Sequence, residues 1–254
     1  MNRRAVIANA RGLRPGTVAL RERTAYRADG ALQVCVAAGC GRPPAALAGK
    51  GLSLLYCRRC CQRANRHGCH WKQTYPAAVL DPYRKAAERF LKTHPNDIWV
   101  VAAMHALDCL MADSGPVERI VDVNELLDPP AKARASLARL RRAGIAPRRL
   151  LVNYLAVCAA IAEDSVSPGS ETTEYRRVQA AKAVFRLASG SHVVYGPGSR
   201  YDRYPRSAGL ALRHLGLMLE EACEHVREAH LPAVLSLKST LALSTQGGSD
   251  AATA

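Results

Sequence analysis

The stretch CRRCCQRANRHGCH, residues 57–70, places four cysteines and two histidines in fourteen positions. Nothing else in the chain narrows its folding options as much. A short segment this rich in thiols folds either around disulfides or around a metal. Six of the nine cysteines (Cys35, Cys40, Cys57, Cys60, Cys61 and Cys69) fall within residues 35–69. Cys109, Cys158 and Cys223 stand singly in apolar helical patterns, where cysteine behaves as a small hydrophobe. The N-terminal stretch MNRRAVIANARGLRPGT lacks the apolar core of a secretory leader, and apolar runs such as Ile98 to Met104 are too short to span a bilayer. The expectation is a cytoplasmic protein with no membrane association. In a reducing compartment, clustered thiols point to metal ligation.

Spacing sharpens that reading. Zinc sites commonly take two close pairs of ligands separated by a loop or hairpin. Here Cys35-x4-Cys40 and Cys57-x2-Cys60 are separated by sixteen residues. One structural Zn²⁺ held by Cys35, Cys40, Cys57 and Cys60 is the expected arrangement. CGRPP supplies a turn after the first pair, LSLLY a short strand before the second, and CRRCCQRANRHG a helix closed by Gly68. The i, i+3 spacing puts Cys57 and Cys60 on one face of its first turn, where the helix dipole favours thiolate. Cys61, one turn from Cys57, is an alternative to Cys60. His67, Cys69 and His70 offer a replacement ligand or, with Cys61, a second site across the helix end.

Charge gives the second constraint. The net charge is +15, and residues 1–72 hold fourteen Lys or Arg against Glu22 and Asp29, a net of +12. The remaining residues hold 22 basic and 19 acidic groups, a net of +3. A composition bias toward arginine (29 against seven lysines) would spread over the chain rather than concentrate in its first third. Some arginine is needed to neutralise a zinc tetrathiolate, and the excess implies a polyanionic partner, most often nucleic acid. Residues 1–30, with seven arginines and little periodicity, read as a basic flexible arm. Arg3, Arg4, Arg11 and Arg14 from the arm and Arg58, Arg59, Arg63 and Arg66 from the helix are the candidate phosphate contacts.

The segment CVAAGCGRPPAALAGKGLSLLYCRRCCQRANRHG resembles the treble-clef zinc modules of many phage and mobile-element proteins, some of which lie beside HNH endonuclease domains. The shared features are Cys35 and Cys40, Arg42-Pro43, Gly51-Leu52, Cys57, Cys60 and the closing Arg66-His67-Gly68. The chain departs from the pattern in having Cys60 where that family has histidine, and in a longer segment between the pairs. The resemblance covers about an eighth of the chain. It implies zinc binding and a nucleic-acid context. No His-Asn-His signature follows, so no nuclease activity is implied.

After the module (residues 31–76) the pattern turns helical for residues 77–243, with a disordered tail at 244–254. The fold class expected is mainly α: a small N-terminal treble-clef-like zinc module followed by an all-α domain of six or seven helices. Asp81 and Pro82 open a helix ending near His94-Pro95. Asn96 or Asp97 caps the next, which reaches about Ala112 and, apolar on most faces, reads as the central buried helix. PVERIVDVNELL gives a short helix, PPAKARASLARLRRAG another with Gly144 past its end, and Pro147 opens PRRLLVNYLAVCAAIAED. A helix over about Glu171–Ala188 follows, then a turn-rich segment with one short strand, then a last helix from about Ser207 to His230.

Other motifs carry less. RYDRYPR interleaves arginine with stacking aromatics, making Arg200, Tyr201, Arg203 and Tyr204 a candidate strand-binding loop. Arg139, Arg141, Arg142, Arg148 and Arg149 surround a connection of helix-turn-helix length, but the apolar helix that follows suits a core better, so a solvated basic hairpin end is the reading. His105 reads as a core histidine, and GPGS is too short for a phosphate loop. No Ser-His-Asp, paired-carboxylate or nucleotide-binding constellation stands out, which leaves an unrecognised nuclease with little support. The functional expectation is a zinc-containing nucleic-acid-binding protein, DNA-directed, of a mobile-element or phage-like system. The alternative is a helical adaptor that docks a protein partner such as a recombinase, transposase or polymerase.

Overall fold

The computed structural model describes residues 33–49, 53–118, 123, 126–189, 193–196, 199–202 and 209–247. The basic arm, with Arg3, Arg4, Arg11 and Arg14, lies outside them, as do Arg203, Tyr204 and half of PVERIVDVNELL. The chain forms two units, Met1–Gln73 and Thr74–Ala254.

The first unit is built around helix α1 (Arg58–His67), which Gly68 closes in the left-handed conformation at φ 80°, its N–H bonded to the Ala64 carbonyl. The LSLLY segment is not a strand among the described residues. Its backbone divides its pairing between two neighbours: Val36 N–H bonds to Leu55 O, while Ala45 and Ala46 bond to Tyr56 O and Ser53 O. A segment shared in this way cannot build one continuous ladder.

The second unit is helical: α2 (Ala77–Thr93), α3 (Ile98–Ala112), α4 (Pro129–Arg142), α5 (Pro147–Ala162), α6 (Thr172–Phe185) and α7 (Gly209–Gly247). Between α6 and α7 lies a two-stranded antiparallel hairpin, β1 (Val193–Gly196) with β2 (Ser199–Asp202), paired from Val193↔Asp202 to Gly196↔Ser199. One short strand was expected there, and a second strand pairs with it. Among the described residues, no helix is long and apolar enough to cross a membrane.

The cap at Asp97, which accepts from the Trp99 and Val100 amides, follows the sequence signal. Asp128, which sequence reasoning did not name, caps α4 by accepting from Ala131. Three expectations fail. The central helix is α5, buried continuously from Leu150 to Ile161, whereas α3 buries only one stripe, Val100, Ala103, Leu107 and Met111. His105 accordingly lies on the exposed side of α3. Helix α2 starts at Ala77 with Pro82 inside it, because Leu80 joins Ala86, Ala87, Phe90 and Leu91 in the core. Asp81, not a cap, pairs with Arg84 one turn on, Nη1 to Oδ1 at 2.8 Å.

Helix α7 also runs past its expected end at His230, through Pro232 and into the first four residues of the expected tail. An interior proline costs about 3 kcal/mol. Buried Val234, and Lys238 at 2.6 Å from Glu163 Oε2, which also accepts from Tyr83 Oη, supply the tertiary contacts that offset it.

Three of the five arginines at 139–149 bond to backbone carbonyls, while Arg142 and Arg149 are exposed, as a solvated end requires. Arg139 is fully buried and donates to Glu118 O at 2.9 Å. Arg141 caps α3, donating to Met111 O, Ala112 O and Gly115 O at 2.9, 2.6 and 2.5 Å. Arg148 reaches Glu88 O at 3.3 Å.

Helices α6 and α7 approach so closely that a Cβ on Gly216 would stand 2.3 Å from the Arg177 carbonyl oxygen. Alanine is the better helix former by about 1 kcal/mol, so propensity alone predicts that Gly216→Ala stabilises. The backbone overlap predicts the opposite. Gly216→Ala is expected to cost about 3 kcal/mol, read as a drop in the urea midpoint of the helical signal.

Candidate metal centre and its basic surroundings

The first pair of thiols sits on a knuckle. Cys40 N–H bonds to Ala37 O at 3.0 Å and Cys35 N–H to Arg42 O at 2.6 Å, folding the chain back on itself. Gly39 and Gly41, at φ 70° and 59°, supply the left-handed turns this requires. The second pair opens α1, with Cys57 in the extended N-cap conformation and Cys60 as the one buried residue of the helix. Across the two pairs, Cys57 N–H donates to Cys35 Sγ at 3.3 Å.

The four sulfurs of Cys35, Cys40, Cys57 and Cys60 lie within 4.8 Å of one another. Cys40 Sγ is 3.5 Å from Cys57 Sγ and 3.6 Å from Cys60 Sγ. A disulfide needs about 2.05 Å, while a tetrahedron of thiolates at zinc–sulfur distance has edges of roughly 3.8 Å. All four cysteines are free, and three are buried. The donor set and its spacing fit a tetrahedral thiophilic metal.

Electrostatics agrees. Burial opposes ionisation of Cys57, but the Cys60 amide and the Cys40, Cys60 and Cys35 thiols prevail and lower its pKa to about 7. Burial and hydrogen bonds to the same neighbours push Cys60 up, and burial also raises Cys40. Four thiolates therefore cannot coexist here without a cation at their centre.

The alternative ligands sit elsewhere. Cys61 Sγ faces the Tyr56 carbonyl at 3.9 Å, and Cys69 Sγ accepts from Lys72 N–H at 3.5 Å. His70 stacks on Tyr56 with ring centroids 3.5 Å apart. Among the described residues, the four-cysteine cluster is the one grouping suited to a metal. In the helical unit, Cys223 of EEACEH is buried while Glu221 and His225 are exposed, and they do not converge.

Arg58, Arg59 and Arg66 of α1 are exposed. Arg63 is partly used: its Nη1 donates to Trp71 O at 3.0 Å. Sequence reasoning did not single out Arg42 and Trp71. Both line, with Arg59 and Arg63, a cavity of about 230 Å³ against Cys40 and Cys60. Arg42 was legible only as part of a turn, and Trp71 lies beyond the helix that drew attention. Arg200 and Tyr201 fall on β2, opposite Tyr195 and Val194.

Comparison of the chain with protein families, with curated proteins and with solved structures finds no match to any of them.

Proposed function

We propose that this chain is a zinc-containing nucleic-acid-binding protein, DNA-directed and belonging to a mobile-element or phage-like system, as its resemblance to treble-clef modules implies. The observation that carries the reading is a four-thiol centre inside a module with no acidic side chain. Between Asp29 and Asp81 there are seven basic residues and no Asp or Glu. Cys35, Cys40, Cys57 and Cys60 would hold one structural Zn²⁺, whose role is to fix the knuckle against α1. Four protein ligands leave no open coordination position for catalysis. The tetrathiolate's own charge of −2 is smaller than the basic charge around it, so the surplus is free to meet phosphate. The basic arm and the arginines of α1 supply these contacts, and the site of action proposed is the cytoplasm.

Phosphate contacts release counterions, so affinity for an oligonucleotide should fall steeply with salt. For about six contacts, the loss between 50 and 200 mM salt is roughly a thousandfold. Anisotropy titrations of zinc-loaded protein against duplex DNA, single-stranded DNA and RNA measure this and rank the ligands. Deleting residues 1–30 should flatten the slope. Binding that barely changes over that range would sink the reading.

A helical adaptor remains the second reading, supported by one feature of α3. Ile98, Trp99 and Val101 are 71%, 40% and 51% exposed, a patch that suits a protein partner.

A further inference from the structure

We infer that the cavity beside the metal centre is a phosphate-binding pocket, built to hold one phosphodiester of a nucleic-acid strand. The inference rests on the nucleic-acid reading and assigns it a specific site. The cavity is lined by Ala37, Ala38, Gly39, Cys40, Cys60, Arg42, Arg59, Arg63 and Trp71. Three of these carry guanidinium groups, and they come from two directions: Arg42 follows the knuckle, while Arg59 and Arg63 stand one turn apart on α1. Like charges gathered around one small space repel each other; the tetrathiolate beside them offsets part of that repulsion, and the module has no acidic side chain to offset the rest. An anion from outside relieves that repulsion.

The chemistry of the walls selects the anion. Arginine presents a planar fork that matches phosphate oxygens two at a time. Arg63 is already aimed: the bond from its Nη1 to the Trp71 carbonyl uses one of its five donors and holds the rest of the fork in place. Gly39 of the knuckle also lines the cavity, and it has no neighbour within 4 Å of where a side chain would begin. At about 230 Å³, the cavity falls below the roughly 300–1,000 Å³ typical of sites for whole drug-sized ligands, so it suits a single group of a longer polymer. Its position has a consequence. Cys40 and Cys60 form its floor, so metal loading and phosphate binding share the same backbone, and the pocket exists only when the knuckle is closed on α1.

The test uses the full zinc-loaded chain. Arg42→Gln and Arg59→Gln are compared with the charge-matched control Lys92→Gln in the helical unit, each checked for one zinc per chain. The probe is a labelled oligonucleotide of the preferred type, titrated at several salt concentrations. Each pocket variant is expected to bind roughly tenfold more weakly, the effect of one lost charge-assisted hydrogen bond. Each should also lower the salt slope by about 0.7 to 0.9, while the control stays at the wild-type value. If wild type binds steeply and Arg42→Gln and Arg59→Gln bind like the control, the pocket is overturned and the nucleic-acid reading stands.

If wild type binds no oligonucleotide, the nucleic-acid reading falls, and inorganic phosphate and a nucleoside monophosphate decide the pocket separately. Emission is followed in a Trp99→Phe background, where Trp71 is the remaining tryptophan. A saturable change that Arg59→Gln abolishes shows a pocket for free phosphate. No change overturns it.

Discussion

Cys57→Ser is expected to abolish zinc binding and unfold the first unit, leaving the helical signal of the second largely in place. Structural zinc in small modules contributes about 10–16 kcal/mol of apparent binding free energy at neutral pH, as much as or more than the 5–15 kcal/mol by which whole domains are stable. The module has little else to rely on. Its buried cluster consists of Cys35, Ala37, Cys57 and Cys60, with Cys40, Tyr56 and Trp71 packed against it. Apart from the ligands themselves, that core holds one alanine and two aromatic flanks, too small to keep the knuckle closed. Zinc content by elemental analysis, together with amide exchange over residues 33–73, measures the effect. Cys61→Ser is the discriminating control: its sulfur points at the Tyr56 carbonyl, so that variant should keep one zinc and native protection. A Cys57→Ser protein with one tightly held zinc would refute the ligand set.

The same site fixes a pH dependence. Metal binding must displace protons from thiols that burial and mutual hydrogen bonding hold above their ordinary range, as for Cys60 and Cys40, with Cys57 near 7 as the exception. Zinc affinity should therefore rise with pH through the neutral range and release protons measurably in weakly buffered solution.

The parts of this protein that spacing could reveal were legible in the sequence, and the parts set by tertiary packing were not. Cys35, Cys40, Cys57 and Cys60 could be paired because a knuckle and a helix turn impose short, fixed separations. Helix geometry alone left Cys60 and Cys61 both within reach, and the two-residue spacer common in knuckles favoured Cys60. The Asp97 cap and the Gly68 and Gly144 stops are equally local. Two long helices, α3 and α5, are both apolar on most faces, and periodicity could not show that α5 is enclosed while α3 leaves Ile98 and Val101 exposed. Pro82 read as the first position of a helix, and the last helix was expected to stop at His230, short of Pro232, because proline suits a helix start and breaks its interior. Burial of Leu80 and Val234 overrode both readings. The carbonyl-bound arginines were hidden for a related reason: a guanidinium's partner can be a carbonyl thirty residues away, as Met111 O is for Arg141.

The strongest such case is Glu220, and replacing it by alanine is expected to cost the helical unit about 3–5 kcal/mol. Glu220 lies on α7, only 6% exposed, and accepts from Nε and Nη2 of Arg176 and from Nε of Arg177 on α6. It stands one turn beyond Gly216, where the two helices are closest. Removing the carboxylate deprives both guanidiniums of the oxygens that accept from them, at side chains only 16% and 32% exposed. Glu220→Gln keeps the shape and one acceptor oxygen and should cost less, about 1.5–3 kcal/mol.

A change of pH separates the charge from the packing. Burial opposes the Glu220 charge, but hydrogen bonds from Arg176 and Arg177 outweigh it and hold the carboxyl below its ordinary range. A carboxyl with a lowered native pKa contributes stability that is complete above its unfolded value, about 4.3, and is lost as pH falls through the native value. The gap in urea midpoint between wild type and Glu220→Gln should therefore be constant from pH 7 to about 5 and narrow below 4. A gap that stays the same in acid would mean that shape, and not the ion cluster, locks α6 to α7.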